Sequence, residues 1–312
     1  MAHCKTPEKF FPVVKSVALP KGTFAGKVAL VTGGGTGLGR AIATTFAHLG
    51  ASVAIASRRL DVLEKTANEI RTNTGSVCEA VQMDLKDPVK VSKALDDVEQ
   101  KLGRTPDILI NNAAGNFIMA TERLSPNAYG TVIDIVLKGT LNITTEFGRR
   151  CIRQKQGASV LSISTLYARA GAPFVVPSGV AKAGVENMTK SLATEWAKYG
   201  LRFNAIAPGP IPTEGAFGQL FAGEFKDFNE LIKSTVPVGR LGHPEEIANL
   251  VTFINSDYMS WLNGAIIEFD GGQQHINHGS HMGPFLHEWD NKKWEDTENL
   301  IRGRSGKGKK GK

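Results

Sequence analysis

Thr32-Gly33-Gly34-Gly35-Thr36-Gly37-Leu38-Gly39 is the stretch that decides the fold. It comes directly after the apolar run Val28–Thr32 and before a helical pattern, which is the order of a dinucleotide-binding unit. Glycines there let the backbone approach a pyrophosphate, and the helix N-terminus offers unpaired N–H groups and a positive dipole end. A tight turn without a ligand is the alternative interpretation. We predict a dinucleotide site at Gly33, Gly34, Gly35, Thr36, Gly37, Leu38 and Gly39.

The rest of the chain alternates short β-branched runs with longer amphipathic stretches, which indicates βαβ units and a parallel sheet. A helix is expected to begin at Ser125-Pro126, because serine can cap a helix and proline suits its first position. Another helix carries an apolar stripe that should face the sheet, at Val185, Met188, Leu192, Trp196 and Tyr199. The predicted strands are 28–32, 52–56, 77–83, 108–111, 159–164, 202–207 and 265–269.

The predicted fold is therefore α/β, a single-domain Rossmann fold with a doubly wound parallel sheet and helices on both faces. With 312 residues, 41% of them hydrophobic, and 34 glycines, the chain could form one large domain or two smaller ones, and we favour one. We assign residues 25–272 to this domain, 1–24 to an N-terminal extension and 273–300 to a C-terminal extension. Residues 301–312 are expected to be a basic, disordered tail.

Charge and cysteine content restrict the function classes. Six of the positive charges behind the net charge of +7 lie at positions 302–312, so the rest of the chain is nearly neutral. Without a recognition motif, this tail does not indicate nucleic-acid binding. The three cysteines are scattered without C-x-x-C spacing, which argues against a disulfide framework and favours a reducing compartment. The sequence contains no run of eighteen apolar residues, so we expect no membrane span.

Two further signals are weak. The first twenty residues match neither a transit peptide nor a secretory signal, and the C-terminus is not a peroxisomal Ser-Lys-Leu signal. A histidine cluster follows residue 272, but no acid or cysteine is placed with it and Gly279 breaks its helical spacing. We predict no metal site at His275, His278, His281 and His287.

The end of the second strand indicates which dinucleotide binds. An NAD site usually has an acid there for the ribose 2′-hydroxyl, whereas this strand ends Ala56-Ser57-Arg58-Arg59. Arginine can grip a 2′-phosphate, so we predict NADPH as the cofactor, with Ser57 and Arg58 among its contacts. Two solvent-facing arginines are the alternative. Asp84, after the third strand, is placed to bind the adenine amine, or it could cap a helix.

The segment Pro177-Ser178-Gly179-Val180-Ala181-Lys182 lacks an expected tyrosine. A Rossmann-type reductase would show Tyr-x-x-x-Lys, in which the ammonium makes the phenol a better acid. Here Ser178 stands four residues before Lys182, in place of the tyrosine. The nearest upstream tyrosine is Tyr167. Pairing it with Lys182 requires contact across a loop, which suggests an altered substrate geometry.

These motifs together resemble the short-chain dehydrogenase/reductase family over residues 25–272. The resemblance is carried by Thr32 to Gly39, by Asn111-Asn112-Ala113-Ala114-Gly115, by the Lys182 helix and by Pro208-Gly209-Pro210-Ile211. Several stretches resemble the mitochondrial-type 2,4-dienoyl-CoA reductases within that family, including the serine that replaces tyrosine. They are residues 115–117, 121–128, 174–178, 215–217 and 270–272.

The resemblance implies NADPH-dependent reduction of 2,4-dienoyl-CoA to 3-enoyl-CoA, in the β-oxidation of unsaturated fatty acids. Hydride goes to the δ-carbon, negative charge develops on the thioester oxygen, and the dienolate is protonated at the α-carbon. Tyr167 and Asn116 match the donors to that oxygen. Lys182 resembles the lysine that holds the nicotinamide ribose, and Ser178 supports the same network. Pro208, Gly209, Pro210 and Ile211 resemble the segment that passes the nicotinamide carboxamide.

Each of these residues also has a simpler interpretation. Tyr167 could pack at a strand end, Asn116 could be a turn residue beside Gly115, and Pro208 to Ile211 could form a proline-glycine turn. We expect Asn111 and Asn112 to be structural and to bridge strands at the floor of the site.

The substrate contacts implied by the resemblance are less complete. Lys86 resembles a basic contact to CoA, while Phe117 and Ser125 resemble positions along the acyl and pantetheine path. Arg58 is assigned to the substrate as well as to the cofactor. Gln219 is a departure, because it stands in the stretch where the family tends to carry an arginine for CoA.

The alternative functions are reduction of another enoyl or carbonyl substrate and non-catalytic binding of NADPH or acyl-CoA. The joint presence of Asn116, Tyr167 and Lys182 argues against a non-catalytic protein. By resemblance we expect a homotetramer in mitochondria, with the cytoplasm and the peroxisome as alternative compartments.

Overall fold

The computed structural model describes residues 7–213, 233, 235–275, 286 and 289–307, with side chains up to residue 301. Its sheet has seven parallel strands in the order β3-β2-β1-β4-β5-β6-β7. The strands are β1 Val28–Thr32, β2 Ser52–Ser57, β3 Cys78–Gln82, β4 Ile108–Asn111, β5 Ala158–Ile163, β6 Leu201–Pro208 and β7 Ile266–Phe269. All seven predicted strands are present within one residue at each end, and the predicted fold class is confirmed.

The strand order reverses between β1 and β4, which pair in parallel through Ala29 with Ile108 and Val31 with Ile110. In a doubly wound sheet, ligands bind in the crevice beyond the carboxyl ends of the strands at this reversal. The loops after the strands therefore form one edge, where most of the predicted cofactor contacts and Asn116 lie, whereas Tyr167, Ser178 and Lys182 lie on helices.

The helices follow the strands in alternation. They are α1 Gly37–His48, α2 Leu60–Thr74, α3 Pro88–Leu102, α4 Pro126–Ile133, α5 Gly139–Gln154, α6 Tyr167–Ala170, α7 Val176–Glu195, α8 Pro244–Asn255 and α9 Asn291–Lys307. A π-helical segment, 134–138, joins α4 to α5. The helix start predicted at Ser125-Pro126 is confirmed, because Ser125 Oγ accepts a hydrogen bond from Ala128 N at 3.2 Å and proline is the first helical residue.

The core lies on both faces of the sheet. Successive residues of β1 point to opposite sides, so Val31 packs in the cluster that contains Phe46 of α1, while Leu30 packs in the cluster that contains Phe147 of α5. Burial on both faces explains why the central strands β1 and β4 are continuous apolar runs and were recognisable in the sequence.

The prediction of an apolar stripe on α7 is correct except at the end of the helix. Val185 and Met188 are buried, and Leu192 and Trp196 pack against the core. The helix ends at Glu195 and a 3-10 turn follows, so Tyr199 is 42% exposed and the prediction that it faces the sheet was wrong. Spacing alone does not reveal where a helix stops.

The N-terminal extension packs on the domain. Phe24 is buried against Phe46 with ring centroids 5.0 Å apart, and Ala18 N donates to Asn249 Oδ1 at 3.0 Å. At the other end, α9 runs to Lys307, so helical backbone covers the first part of the segment expected to be disordered. Among the described residues, no helix has the length and apolar content of a bilayer span.

Candidate active site

The glycine turn after β1 leaves its backbone open to the close approach of a ligand. Gly33 has φ +65°, a conformation that favours glycine, and a Cβ on Gly39 would lie 2.5 Å from Asn112 Nδ2 and against the Gly33 carbonyl. Asn112 Nδ2 donates to Thr32 O at 3.0 Å and to Gly33 O at 3.3 Å. The turn is thus fixed to the loop after β4, and α1 begins at Gly37 with its N-terminus at the carboxyl edge of the sheet.

The loops after β2 and β3 place the other predicted cofactor residues at the same edge. Arg58 is exposed, and within residues 7–213 and 235–275 its guanidinium has no hydrogen-bond or ion-pair partner in the structure. Asp84 Oδ1 accepts a hydrogen bond from Lys86 N at 3.2 Å. The helix cap considered for Asp84 is provided instead by Asp87, which accepts from Val89 N at 2.9 Å.

The loop after β6 closes the edge beside the glycine turn. Gly209 N donates to Phe269 O at 3.0 Å, and Ile211 is buried. The segment continues to Thr213, which lies close enough to Gly37 that a Cβ on that glycine would come within 3.2 Å of it. Thr213 is a neighbour of the turn that the sequence interpretation missed, since only the fold brings the two loops together.

Tyr167, Asn116 and Ser178 meet at the centre of this edge. Asn116 Nδ2 donates to Tyr167 Oη at 3.2 Å, and Tyr167 Oη lies 3.4 Å from Ser178 Oγ. Asn116 Oδ1 accepts from Phe117 N at 2.9 Å, which fixes the orientation of the amide and turns its Nδ2 toward Tyr167. The displaced tyrosine therefore reaches the position beside Ser178 from another helix.

Lys182 lies one turn after Ser178 on α7 and is 6% exposed. Its Nζ donates to the carbonyl of Ile163, the last residue of β5. Burial lowers the pKa of Lys182 from 10.5 to about 8, because the charged form loses hydration. A buried ammonium with an unusual pKa in a cleft is a feature of functional sites.

Asn111 and Asn112, at the floor of the site, have the structural role expected for them. Asn111 Nδ2 donates to Thr144 Oγ1 of α5 at 2.8 Å and approaches Ser162 Oγ of β5 at 3.4 Å. Asn112 binds the glycine turn, and Thr32 Oγ1 accepts from its backbone N–H at 3.1 Å.

A family model described as Enoyl-(Acyl carrier protein) reductase matches residues 33–274. The chain belongs to the short-chain dehydrogenase/reductase family. It is similar to an uncharacterized oxidoreductase of Caenorhabditis elegans, at 82% identity over all of both chains. It is also 68% identical to the "Probable 2,4-dienoyl-CoA reductase 3" of that organism, named as (3E)-enoyl-CoA-producing, over 98% of this chain and 99% of the relative.

Among solved structures, a short chain dehydrogenase from Bacillus anthracis is 42% identical and superimposes with a TM-score of 0.73, over 79% of this chain and 96% of that one. The family assignment makes the chain an oxidoreductase with a nicotinamide cofactor. The residues present fit that group, since the space left by Gly33 and Gly39 would be filled by any side chain, and Arg58 and Lys182 offer cationic groups along the same edge.

The residues that the sequence predicts to bind substrate do not form one contiguous group. Phe117 packs against Val132, Val136 and Ala181, and follows Asn116 directly in the chain. Ser125 is the helix cap described above, and Lys86 lines a separate surface depression of about 400 Å³. Gln219 lies outside the described residues.

Three members of the histidine cluster, His278, His281 and His287, lie outside the described residues. His275 Nε2 lies 3.1 Å from Glu268 Oε2. In the part of the chain that the structure describes, no three histidines, cysteines or acids are grouped to hold a metal ion.

Proposed function

We propose that the chain is an NADPH-dependent 2,4-dienoyl-CoA reductase that forms 3-enoyl-CoA in the β-oxidation of unsaturated fatty acids. The observation that carries the proposal is the contact of Asn116 Nδ2 with Tyr167 Oη at 3.2 Å, beside Ser178. The similarity to the dienoyl-CoA reductase of Caenorhabditis elegans over nearly the whole chain supports it.

The paired donors suit a conjugated thioester. Asn116 Nδ2 carries two N–H groups and uses one on Tyr167, so the second N–H and the phenolic O–H can both reach one substrate oxygen. Donors fixed before reaction stabilise the charge that develops on that oxygen, and each contributes about 3 kcal/mol to lowering the barrier. When bound, the reduced nicotinamide supplies the hydride.

Lys182 and Ser178 support these donors from α7. The Lys182 ammonium is fixed against Ile163 and provides positive charge on the helix face that carries Ser178. Ser178 Oγ lies within hydrogen-bond distance of Tyr167 Oη, at 3.4 Å, and restrains the phenol. Serine lacks the reach of a phenol, so we assign the donor role to Tyr167 and a supporting role to Ser178.

Arg58 supports NADPH over NADH. The end of β2 carries no acid, and the exposed Arg58 guanidinium is available for a 2′-phosphate. Gly33 to Gly39, Ser57, Asp84 and the Pro208–Ile211 segment complete the proposed cofactor contacts.

The proposed substrate is an acyl-CoA thioester. Lys86 is exposed beside Lys138 and Asn142 in its surface depression, where a basic group can bind a CoA phosphate. Phe117 suits the acyl path because it is partly buried next to the donors. By resemblance to the family we also propose a homotetramer located in mitochondria, testable by mass photometry and by fractionation of cells.

Tyr167→Phe tests the donor assignment. It should lower kcat on a 2,4-dienoyl-CoA by about 10²–10³ while NADPH binding persists, because the hydroxyl acts mainly in the transition state. Ser178→Ala should cost less. Rates are followed as the simultaneous loss of NADPH and dienoyl absorbance. A silent Tyr167→Phe combined with an inactive Ser178→Ala would show that the donor role belongs to Ser178.

A further inference from the structure

The helix that carries Tyr167 has almost no apolar anchorage. Residues 167–170 form only four residues of helix, α6, and none of them is buried. It rests on α7 at Gly179, where a Cβ would lie 3.7 Å from the Tyr167 ring. This short segment, in which no residue is buried, nevertheless holds the phenol within 3.2 Å of Asn116 Nδ2. Polar contacts must therefore fix it.

Arg169, two residues after Tyr167, provides these contacts. Its Nε donates to Glu186 Oε2 at 2.9 Å, its Nη1 to Glu268 Oε1 at 3.0 Å, and its Nη2 to the Ile266 carbonyl at 3.2 Å. Glu186 lies on α7, whereas Glu268 and Ile266 lie on β7. One side chain thus joins the Tyr167 helix to two rigid elements.

The contact with Glu186 is the strongest of the three. The Glu186 side chain is 5% exposed, and its other oxygen, Oε1, accepts from Ser164 Oγ at 2.7 Å. A buried carboxylate is costly without a charged partner, so the Arg169–Glu186 pair resists separation. A planar guanidinium with several fixed donors also restricts orientation more than a lysine would.

Glu186 lies one turn after Lys182, as Lys182 lies one turn after Ser178, along α7. Through Glu186, Arg169 thus links α6 to α7, the helix that also carries Ser178 and Lys182. We propose that Arg169 is a positioning residue that sets the Tyr167 hydroxyl against Asn116 and Ser178. The inference rests on the proposed function, in which that hydroxyl is the donor to the substrate oxygen.

The test compares Arg169→Met, which keeps the length of the side chain but removes its donors, with Arg104→Met. Arg104 is a matched control, because it binds a carboxylate, Asp107, at 2.9 Å and a backbone carbonyl, Gly26, but precedes β4 at the opposite end of the sheet. Arg169→Met should lower kcat by about 10- to 100-fold with the KM for NADPH little changed. Arg104→Met should leave kcat within about twofold, and Arg169→Lys should restore part of the loss.

A double-mutant cycle separates positioning from general damage. If Arg169 acts through Tyr167, Arg169→Met should lower kcat by less than about threefold once Tyr167 is phenylalanine. An equal loss with and without the Tyr167 hydroxyl would overturn the proposal, as would wild-type kcat in Arg169→Met. If that variant does not fold, Arg169→Lys enters the same cycle and is judged by the same criterion.

A crystal structure of Arg169→Met distinguishes this inference from the proposed function. We expect Tyr167 Oη to lie beyond hydrogen-bond distance of Asn116 Nδ2 in the variant. A Tyr167 position unchanged from wild type would refute positioning by Arg169, even if the enzyme reduces dienoyl-CoA as proposed. A displaced Tyr167 in the variant, together with a wild-type protein that does not reduce dienoyl-CoA, would support the positioning and refute the function.

Discussion

Replacing Lys182 by methionine should reveal the cost of burying its charge. Burial lowers the pKa of Lys182 from 10.5 to about 8 in the folded protein. Between these two pH values the unfolded chain binds more protons than the folded one, so the free energy of unfolding rises with pH. Below pH 8 the buried ammonium destabilises the fold, and above 10.5 both states are neutral and this cost is absent.

The magnitude follows from the pKa difference. At about 1.4 kcal/mol for a tenfold change in equilibrium constant, the cost at pH 7 is about 3 kcal/mol, of which about 2 kcal/mol disappears between pH 7 and pH 9.5. Methionine has a similar length and no charge, so Lys182→Met should lose only the bond to the Ile163 carbonyl. The stability of wild type relative to Lys182→Met should therefore improve by about 2 kcal/mol over this range.

The assay is equilibrium unfolding in urea of both cofactor-free proteins, at pH 7 and 9.5 and at one protein concentration. Comparing the two proteins cancels the titration of all other groups, provided that the m-values agree. A difference in stability that stays constant with pH would refute the claim that Lys182 is charged and desolvated at pH 7. If its charge also supports catalysis, kcat/KM should fall as the pH rises above about 8.

Two further predictions concern the cofactor. Arg58→Ala should raise the KM for NADPH about 10- to 100-fold and that for NADH little, because only NADPH has a 2′-phosphate to lose; steady-state kinetics that show equal effects on both would refute the assignment. Gly39→Ala should destabilise the protein by about 1–3 kcal/mol and weaken NADPH binding, because the added Cβ meets Asn112 Nδ2 at 2.5 Å. Gly130→Ala is the control: its Cβ would meet nothing within 4 Å and it lies inside α4, where alanine is favoured over glycine, so calorimetry should show no loss of stability. Equal losses in both variants would contradict the packing argument.

The strands and the edge that holds the site were predictable from the sequence because their signals are local. The strands at the centre of the sheet, such as Val28–Thr32, are short apolar runs buried on both faces, and the motif residues follow strand ends. Parallel strands bring their carboxyl ends to one edge, so the convergence of the glycine turn, Asn116 and Tyr167 followed from topology alone.

The contacts that hold Tyr167 could not be predicted in the same way. Arg169 pairs with Glu186 and Glu268, which lie 17 and 99 residues away along the chain, and such pairs leave no periodic or spaced pattern. The end of α7 was missed for a different reason. The apolar spacing continues through Tyr199, but the chain must turn at Gly200, with φ +78°, to enter β6.

The most direct test of the central claim is reduction of a 2,4-dienoyl-CoA with NADPH that carries deuterium at the transferred position of the nicotinamide. Mass spectrometry and NMR of the product then locate the label and the remaining double bond. We expect one deuterium on the δ-carbon and a 3-enoyl-CoA product, because Tyr167 and Asn116 stabilise the negative charge that conjugation delivers to the thioester oxygen. Deuterium on the β-carbon of the product would contradict the proposed function. So would a failure to reduce the dienoyl-CoA by an enzyme that does reduce a ketone or a simple enoyl thioester.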